Sequence, residues 1–362
     1  NNKMGKRLFN FSAGPGALPE SVMLEVKDEL PVYGNTGASV MEISHRSAAY
    51  KGINASAIER LRRLLGVGEE WHVMFLQGGA SMQFLQVPMN FLRADETAGY
   101  LLTGAWAKKA MKEAKAIGKV HVYASSDDQN FNYIPDQAGW SHNEAARYVH
   151  YTSNNTIFGT EFHFTPDVKG LPLVCDASSN FLSRPIDMAS HALIYAGAQK
   201  NIGPAGATAV LVREDFLQTR NSGVSTMLDY GTHVADLYNT PPVFAVYIIE
   251  KVLKWLEEKG GLAVMEKENI AKADQLYAAL EATDFYRPTA RSDSRSRMNV
   301  TFRLADENLE AKFVSEAKAN GMTDLKGHRS VGGIRASIYN ACPPEAVNAL
   351  VDFMREFERT NG

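Results

Sequence analysis

Apolar residues along this chain recur first at helical and then at strand-like spacing, and from about residue 53 the alternation repeats. Ile58, Leu61, Leu64 and Leu65 fall on one helical face. An apolar strand at 73–76 is closed by Gly78-Gly79, and helical spacing resumes over 81–92. Further buried strands are predicted at 100–102, 120–123, 148–151, 173–175, 193–196 and 207–212. Near-continuous apolar strands separated by helices predict an α/β fold with a mostly parallel sheet covered on both faces. Such sheets bind ligands beyond the carboxyl ends of their strands.

The last third is looser. Helices over 243–258 and 261–283 lead to a strand at 298–303, a helix near 307–319, a strand at 333–338 and a closing helix from Pro344. This pattern predicts a smaller α+β domain at 261–362 behind a large domain at 17–260. The segment 1–16, with Gly14-Pro15-Gly16, has no strong period and is expected to pack near the smaller domain.

With 362 residues, 45% hydrophobic and 22% charged, the chain is an ordinary globular sequence. A net charge of -3 excludes the concentrated basic face that a nucleic acid or membrane surface needs, while local Arg and His can still hold small anions. Two cysteines, Cys175 and Cys342, make neither a disulfide framework nor a metal site, and reduced thiols are expected. No apolar run reaches the roughly eighteen residues of a membrane span. The N-terminus lacks the apolar stretch of a signal peptide, and Met4 is read as the natural start behind a three-residue remnant. A cytoplasmic location is expected.

Three strand ends carry candidate chemistry. Gly78-Gly79-Ala80-Ser81 joins a strand to a helix, where free N–H groups and the helix dipole favour an oxyanion. Taken alone it is also an ordinary tight turn, and no Walker or Gly-x-Gly-x-x-Gly pattern accompanies it. Asp176 ends an apolar strand. A carboxylate there needs a cationic or donor partner, such as a protonated pyridine nitrogen, and a helix N-cap is the structural alternative. Lys200 follows the apolar run 193–198 and faces Asn201-Ile202-Gly203-Pro204, where desolvation would lower its pKa and free an amine nucleophile. Most lysines are simply solvated. Trp106, after the strand at 100–102, offers a flat face for a planar ring or for packing. The order of these features, anion loop, aromatic, acid and lysine, is more informative than any one of them.

Across nearly its whole length the chain resembles the phosphoserine aminotransferase family of the fold-type I pyridoxal-phosphate enzymes, in the class V group. The stretches that carry the likeness are Phe11-Ser12-Ala13-Gly14-Pro15-Gly16, Ser44-His45-Arg46-Ser47, Gln199-Lys200-Asn201-Ile202-Gly203-Pro204, Asn239-Thr240-Pro241-Pro242, Arg297-Met298-Asn299-Val300 and Gly327-His328-Arg329-Ser330-Val331-Gly332-Gly333-Ile334-Arg335. The resemblance implies a transaminase between glutamate and 3-phosphohydroxypyruvate in serine biosynthesis, with 4-phosphohydroxythreonine as a further candidate substrate.

The same resemblance implies that Lys200 forms the internal aldimine with pyridoxal 5'-phosphate, Asp176 pairs with the pyridinium nitrogen, Trp106 stacks on the ring and Thr156 contacts the ring hydroxyl region. Ala80, Ser81 and Gln199 would hold the cofactor phosphate, with Asn239 and Thr240 from the second subunit of a homodimer. Arg335 would take the substrate α-carboxylate. His45, Arg46, His328 and Arg329 would gather around its phosphate, with Ser12 at the same mouth. Some members carry Gly or Arg in the anion loop where this chain reads Ala80-Ser81-Met82, a change that backbone donors survive. Independently of the resemblance, two His-Arg pairs in Gly- and Ser-rich segments suit a dianion, although surface loops also carry such pairs. Among related activities, a cysteine desulfurase is disfavoured because neither cysteine lies in a mobile loop.

Overall fold

The computed structural model describes residues 5–362, so Met4 lies outside it. Among the described residues the central sheet has seven strands, in the order Trp71–Leu76, Thr208–Arg213, Leu193–Gly197, Leu173–Asp176, Ala146–Thr152, Thr97–Leu102 and Lys119–Ser125. All neighbours are parallel except Thr208–Arg213, which runs against both strands beside it. The strands from Leu76, Leu102, Thr152, Asp176 and Gly197 therefore all end at one edge.

Most of these strands are buried on both faces, as their unbroken apolar runs require. The strand Lys119–Ser125 departs from expectation. It lies at the sheet edge, Tyr123 is its one buried residue and Val122 is exposed.

Flanking helices follow their apolar stripes. Ala48–Leu65 buries Tyr50, Ile53, Ala57, Leu61 and Leu65 at spacings of three and four, and Ser47 Oγ accepts the Tyr50 N–H at its start. It packs on Val243–Glu258, where Arg60 pairs with Glu250 at 2.9 Å and Glu257 at 2.6 Å. At the anion loop, Gly78 and Gly79 have φ of +94° and +65°, and a Cβ on Gly78 would come within 2.5 Å of the Met82 Cβ. Glycine is what lets the chain turn there from strand into the helix Gly79–Phe91.

A separate antiparallel sheet joins Tyr286–Pro288, Asn299–Leu304 and Ile334–Ser337. Its core draws on the helices Leu262–Glu281, Glu310–Ala319 and Pro344–Asn361 and on Phe11. Phe9–Asn10 pairs in parallel with Met322–Thr323, which fixes the N-terminal segment on this side. The helix Leu262–Glu281 is shared: Leu262 and Met265 pack with the large sheet's core, while Ala273, Leu276 and Leu280 pack in the second core.

The chain returns directly after Lys200. Gly197 and Thr208 are register partners, and Ala198 N–H donates to Ala207 O at 2.9 Å, so the turn 198–207 is pinned at both ends.

Candidate active site

At the carboxyl edge of the sheet lies a cavity of about 130 Å³. Seven of the residues singled out from the sequence line it: Ala80, Ser81, Trp106, Thr156, Asp176, Gln199 and Lys200. They stand at or just past strand ends, Ala80 and Ser81 after the same strand, or on the short helix Ala198–Asn201, so one edge delivers them all. A polar cavity of about 510 Å³ at the opposite edge, near Asp187 and Arg213, contains none of them.

Lys200 Nζ donates to Thr156 Oγ1 at 2.7 Å and stands 5.7 Å from the Trp106 ring centroid. Burial pulls its amine down to about 8, with the Asp176 carboxylate opposing the shift and the Arg335 guanidinium adding to it. Asp176 is buried, and desolvation raises its carboxyl above the usual range while the Ser178 N–H and hydroxyl and the charge of Lys200 hold it back. Both Ser178 donors meet Oδ1; Oδ2 has no donor among the described residues. The helix N-cap considered for Asp176 is not formed, since no helix follows it directly. At the anion loop the helix Gly79–Phe91 begins without a side-chain cap, leaving its first N–H groups free.

Arg335, in the second sheet, does not line this cavity but bonds to one of its wall residues. Its Nη1 donates to Thr156 O at 3.3 Å, and its Nε is buried without a partner. Arg335 and His328 line a neighbouring cavity of about 730 Å³. His328 is pushed below the ordinary imidazole range by burial and by the positive charges of Arg335, Arg329 and Lys109. No carboxylate pairs with these cations among the described residues, which leaves an un-neutralised positive cluster.

Other predicted residues are not brought together in one chain. Ser12 sits on the N-terminal segment, where its Oγ accepts the Gly14 N–H at 3.4 Å; a Cβ on Gly14 would lie 3.6 Å from Lys200 Cγ. Arg329 is exposed and lines neither cavity. His45 and Arg46 line neither, although His45 Nε2 is buried without a partner. Asn239 belongs to a separate cavity with Gln77, whose Nε2 donates to Thr240 O at 2.8 Å.

Orphaned polar atoms on the wall of the Lys200 cavity match the needs of pyridoxal phosphate. Trp106 Nε1 and Thr152 Oγ1 are buried without partners on the cavity wall, and Arg335 Nε, on the neighbouring cavity, is likewise unpartnered. An amine, an acid with a free oxygen, a flat indole and an uncapped helix start complete the wall. These residues fit the group.

The aminotransferase class-V family model matches residues 8–350. The phosphoserine aminotransferase of Desulfosudis oleivorans is 54% identical over 363 residues, covering 99% of this chain and all of that protein. The chain belongs to the phosphoserine aminotransferase family.

Two solved phosphoserine aminotransferases share its fold. That of Bacillus circulans subsp. alkalophilus has a TM-score of 0.96 at 49% identity, covering 99% of this chain and 100% of its own. That of Trichomonas vaginalis, with PLP bound, has a TM-score of 0.92 at 41% identity over 96% of this chain and 100% of its own. The cysteines suit a phosphoserine aminotransferase better than a desulfurase: both are buried, and desolvation pushes Cys175 up to about 12 and Cys342 up to about 11.

Sequence reasoning missed several wall residues, namely Phe84, Thr152, Asn154, Ser178 and Ser179. Ser178 and Ser179 directly follow Asp176, and that adjacency was the available signal. Thr152 and Asn154 had only a strand end to mark them.

Proposed function

We propose that the chain is a phosphoserine transaminase that carries pyridoxal 5'-phosphate on Lys200. It exchanges the amino group between glutamate and 3-phosphohydroxypyruvate. The observation that carries this reading is a half-buried lysine amine and the free oxygen of a buried acid on the wall of one cavity floored by an uncapped helix start.

Lys200 would bond the cofactor aldehyde, Asp176 Oδ2 would accept the ring N–H, and Trp106 would cover the ring. Thr156 would lie by the ring hydroxyl, and Ala80, Ser81 and Gln199 would donate to the phosphate. When bound, pyridoxal phosphate supplies an aldehyde to accept the amino group and a ring that absorbs electrons released at the α-carbon. Lys200 Nζ would take the substrate α-proton and return it, and a pKa near 8 suits that task. Asp176 keeps the ring nitrogen protonated. Arg335 takes the substrate carboxylate on its unpartnered Nε, and this fixes the α-carbon near the amine.

The substrate phosphate would meet His328 and Arg329, whose cluster lacks a protein counter-charge. His45, Arg46, Asn239 and Thr240 would complete the site from the second subunit of a homodimer, which accounts for their absence from the Lys200 cavity within one chain. Ser12 would stand at the mouth. The same reading divides the chain into a cofactor-carrying part, 17–260, and a smaller part, 261–362, with 5–16 beside it and 1–4 outside the described residues. No helix among the described residues is long and apolar enough to cross a membrane, and two buried thiols suit a reducing cytoplasm.

Replacing Lys200 by Ala should abolish turnover of phosphoserine with 2-oxoglutarate and the cofactor's protein-bound absorbance. A variant that transaminates at the wild-type rate would overturn the assignment.

A further inference from the structure

The orientation of Asp176 depends on one neighbour. Its Oδ1 accepts the Ser178 backbone N–H at 3.0 Å and the Ser178 hydroxyl at 2.7 Å. The same hydroxyl oxygen accepts the Gly197 N–H at 3.1 Å. Gly197 ends the strand that delivers Lys200. One oxygen, Ser178 Oγ, therefore ties the end of the acid's strand to the end of the lysine's strand, with its proton given to the carboxylate and a lone pair to the amide. Ser178 is only 7% exposed and lines the cavity. In so dry a place charge-assisted bonds hold firmly, and an orphaned amide is costly.

We propose that Ser178 is a positioning residue for the transamination: it saturates Asp176 Oδ1 so that Oδ2 alone faces the ring nitrogen, and it holds the Lys200 strand in register with the acid. A carboxylate turns easily about its last side-chain bond, because that torsion is broad. Two donors from one residue remove that freedom. The proposal rests on the reading that Asp176 pairs with the ring nitrogen.

The test is binding, followed by tryptophan fluorescence, to the full chain stripped of cofactor. The ligands are pyridoxal 5'-phosphate and its 1-deaza analogue, in which a C–H replaces the ring nitrogen. Wild type should prefer the nitrogen ring, since only that ring can donate to Oδ2. Ser178→Ala should narrow the preference about tenfold, the worth of one charge-assisted hydrogen bond. Ser178→Cys, near in volume and a weak donor, should narrow it likewise and serves if the Ala variant does not fold. Ser178→Thr keeps the oxygen and should retain the preference. If wild type shows no preference, the Asp176 reading fails and the proposal with it. If wild type prefers the nitrogen ring while Ser178→Ala or Ser178→Cys keeps the same ratio, even with both ligands weakened, the role of Ser178 alone is refuted.

Discussion

Lys200 works under opposing charges, and their signs give a pH prediction. Its folded amine, near 8, lies below the ordinary 10.5, so the neutral, reactive form grows as pH rises through about 8. The rate of aldehyde addition to Lys200 in cofactor-free protein should rise over that range. Arg335→Gln removes a positive neighbour, raises the amine's pKa and moves the rise to higher pH; Asp176→Asn removes a negative one and moves it lower. Shifts in the opposite directions would contradict the geometry. Lys272 is the other buried lysine of note. Its Nζ donates to Ile338 O, Tyr339 O and Cys342 O at 3.1, 2.8 and 2.9 Å. Lys272→Met would leave the Ile338 and Cys342 carbonyls without a donor, while Tyr339 O keeps the Cys342 N–H at 2.9 Å, and a stability loss of about 3 kcal/mol is expected in urea denaturation.

At the scale of elements, the N-terminal segment acts as a strap against the lysine. Gly16 N–H donates to Gln199 O at 2.7 Å, and Tyr339 OH donates to Ala13 O at 2.5 Å. A Cβ on Gly16 would lie 2.7 Å from the Tyr339 ring and 2.8 Å from Lys200 O. Gly16→Ala should therefore lower stability by about 1–3 kcal/mol, measured as a denaturation midpoint. It should also slow transamination by displacing Lys200.

Strands that run apolar without interruption, such as Leu193–Gly197, were legible in the sequence because both faces are buried. The helix Glu20–Glu29 was not, since Val22 is its one buried residue and its stripe is too thin to show a period. The edge position of Lys119–Ser125 was hidden for the converse reason, an apolar run that is half wet. In the site, strand ends marked Asp176 and Lys200. Thr152 also ends a strand, but a threonine there is too common to stand out. Residue type also cannot say which cavity a side chain faces, and so His45 was grouped with His328 although it lines neither cavity.

At the scale of the whole molecule, the helix Leu262–Glu281 belongs to both cores. A cut after residue 260 would strip apolar residues from each side, with Leu262 and Met265 lost to one part and Ala273 and Leu276 left with an uncovered first turn. Fragments 5–260 and 261–362 made separately should aggregate, and making them together should recover soluble protein, as size-exclusion chromatography would register. Two separately soluble fragments would refute this. The reversed strand Thr208–Arg213 has a different consequence. Because it brings the chain straight back, Lys200 stands three residues from the Gly197 anchor, on a short tether. Its amine can travel only as far as four methylenes swing, so any proton it holds moves by rotation about side-chain bonds over a stationary backbone.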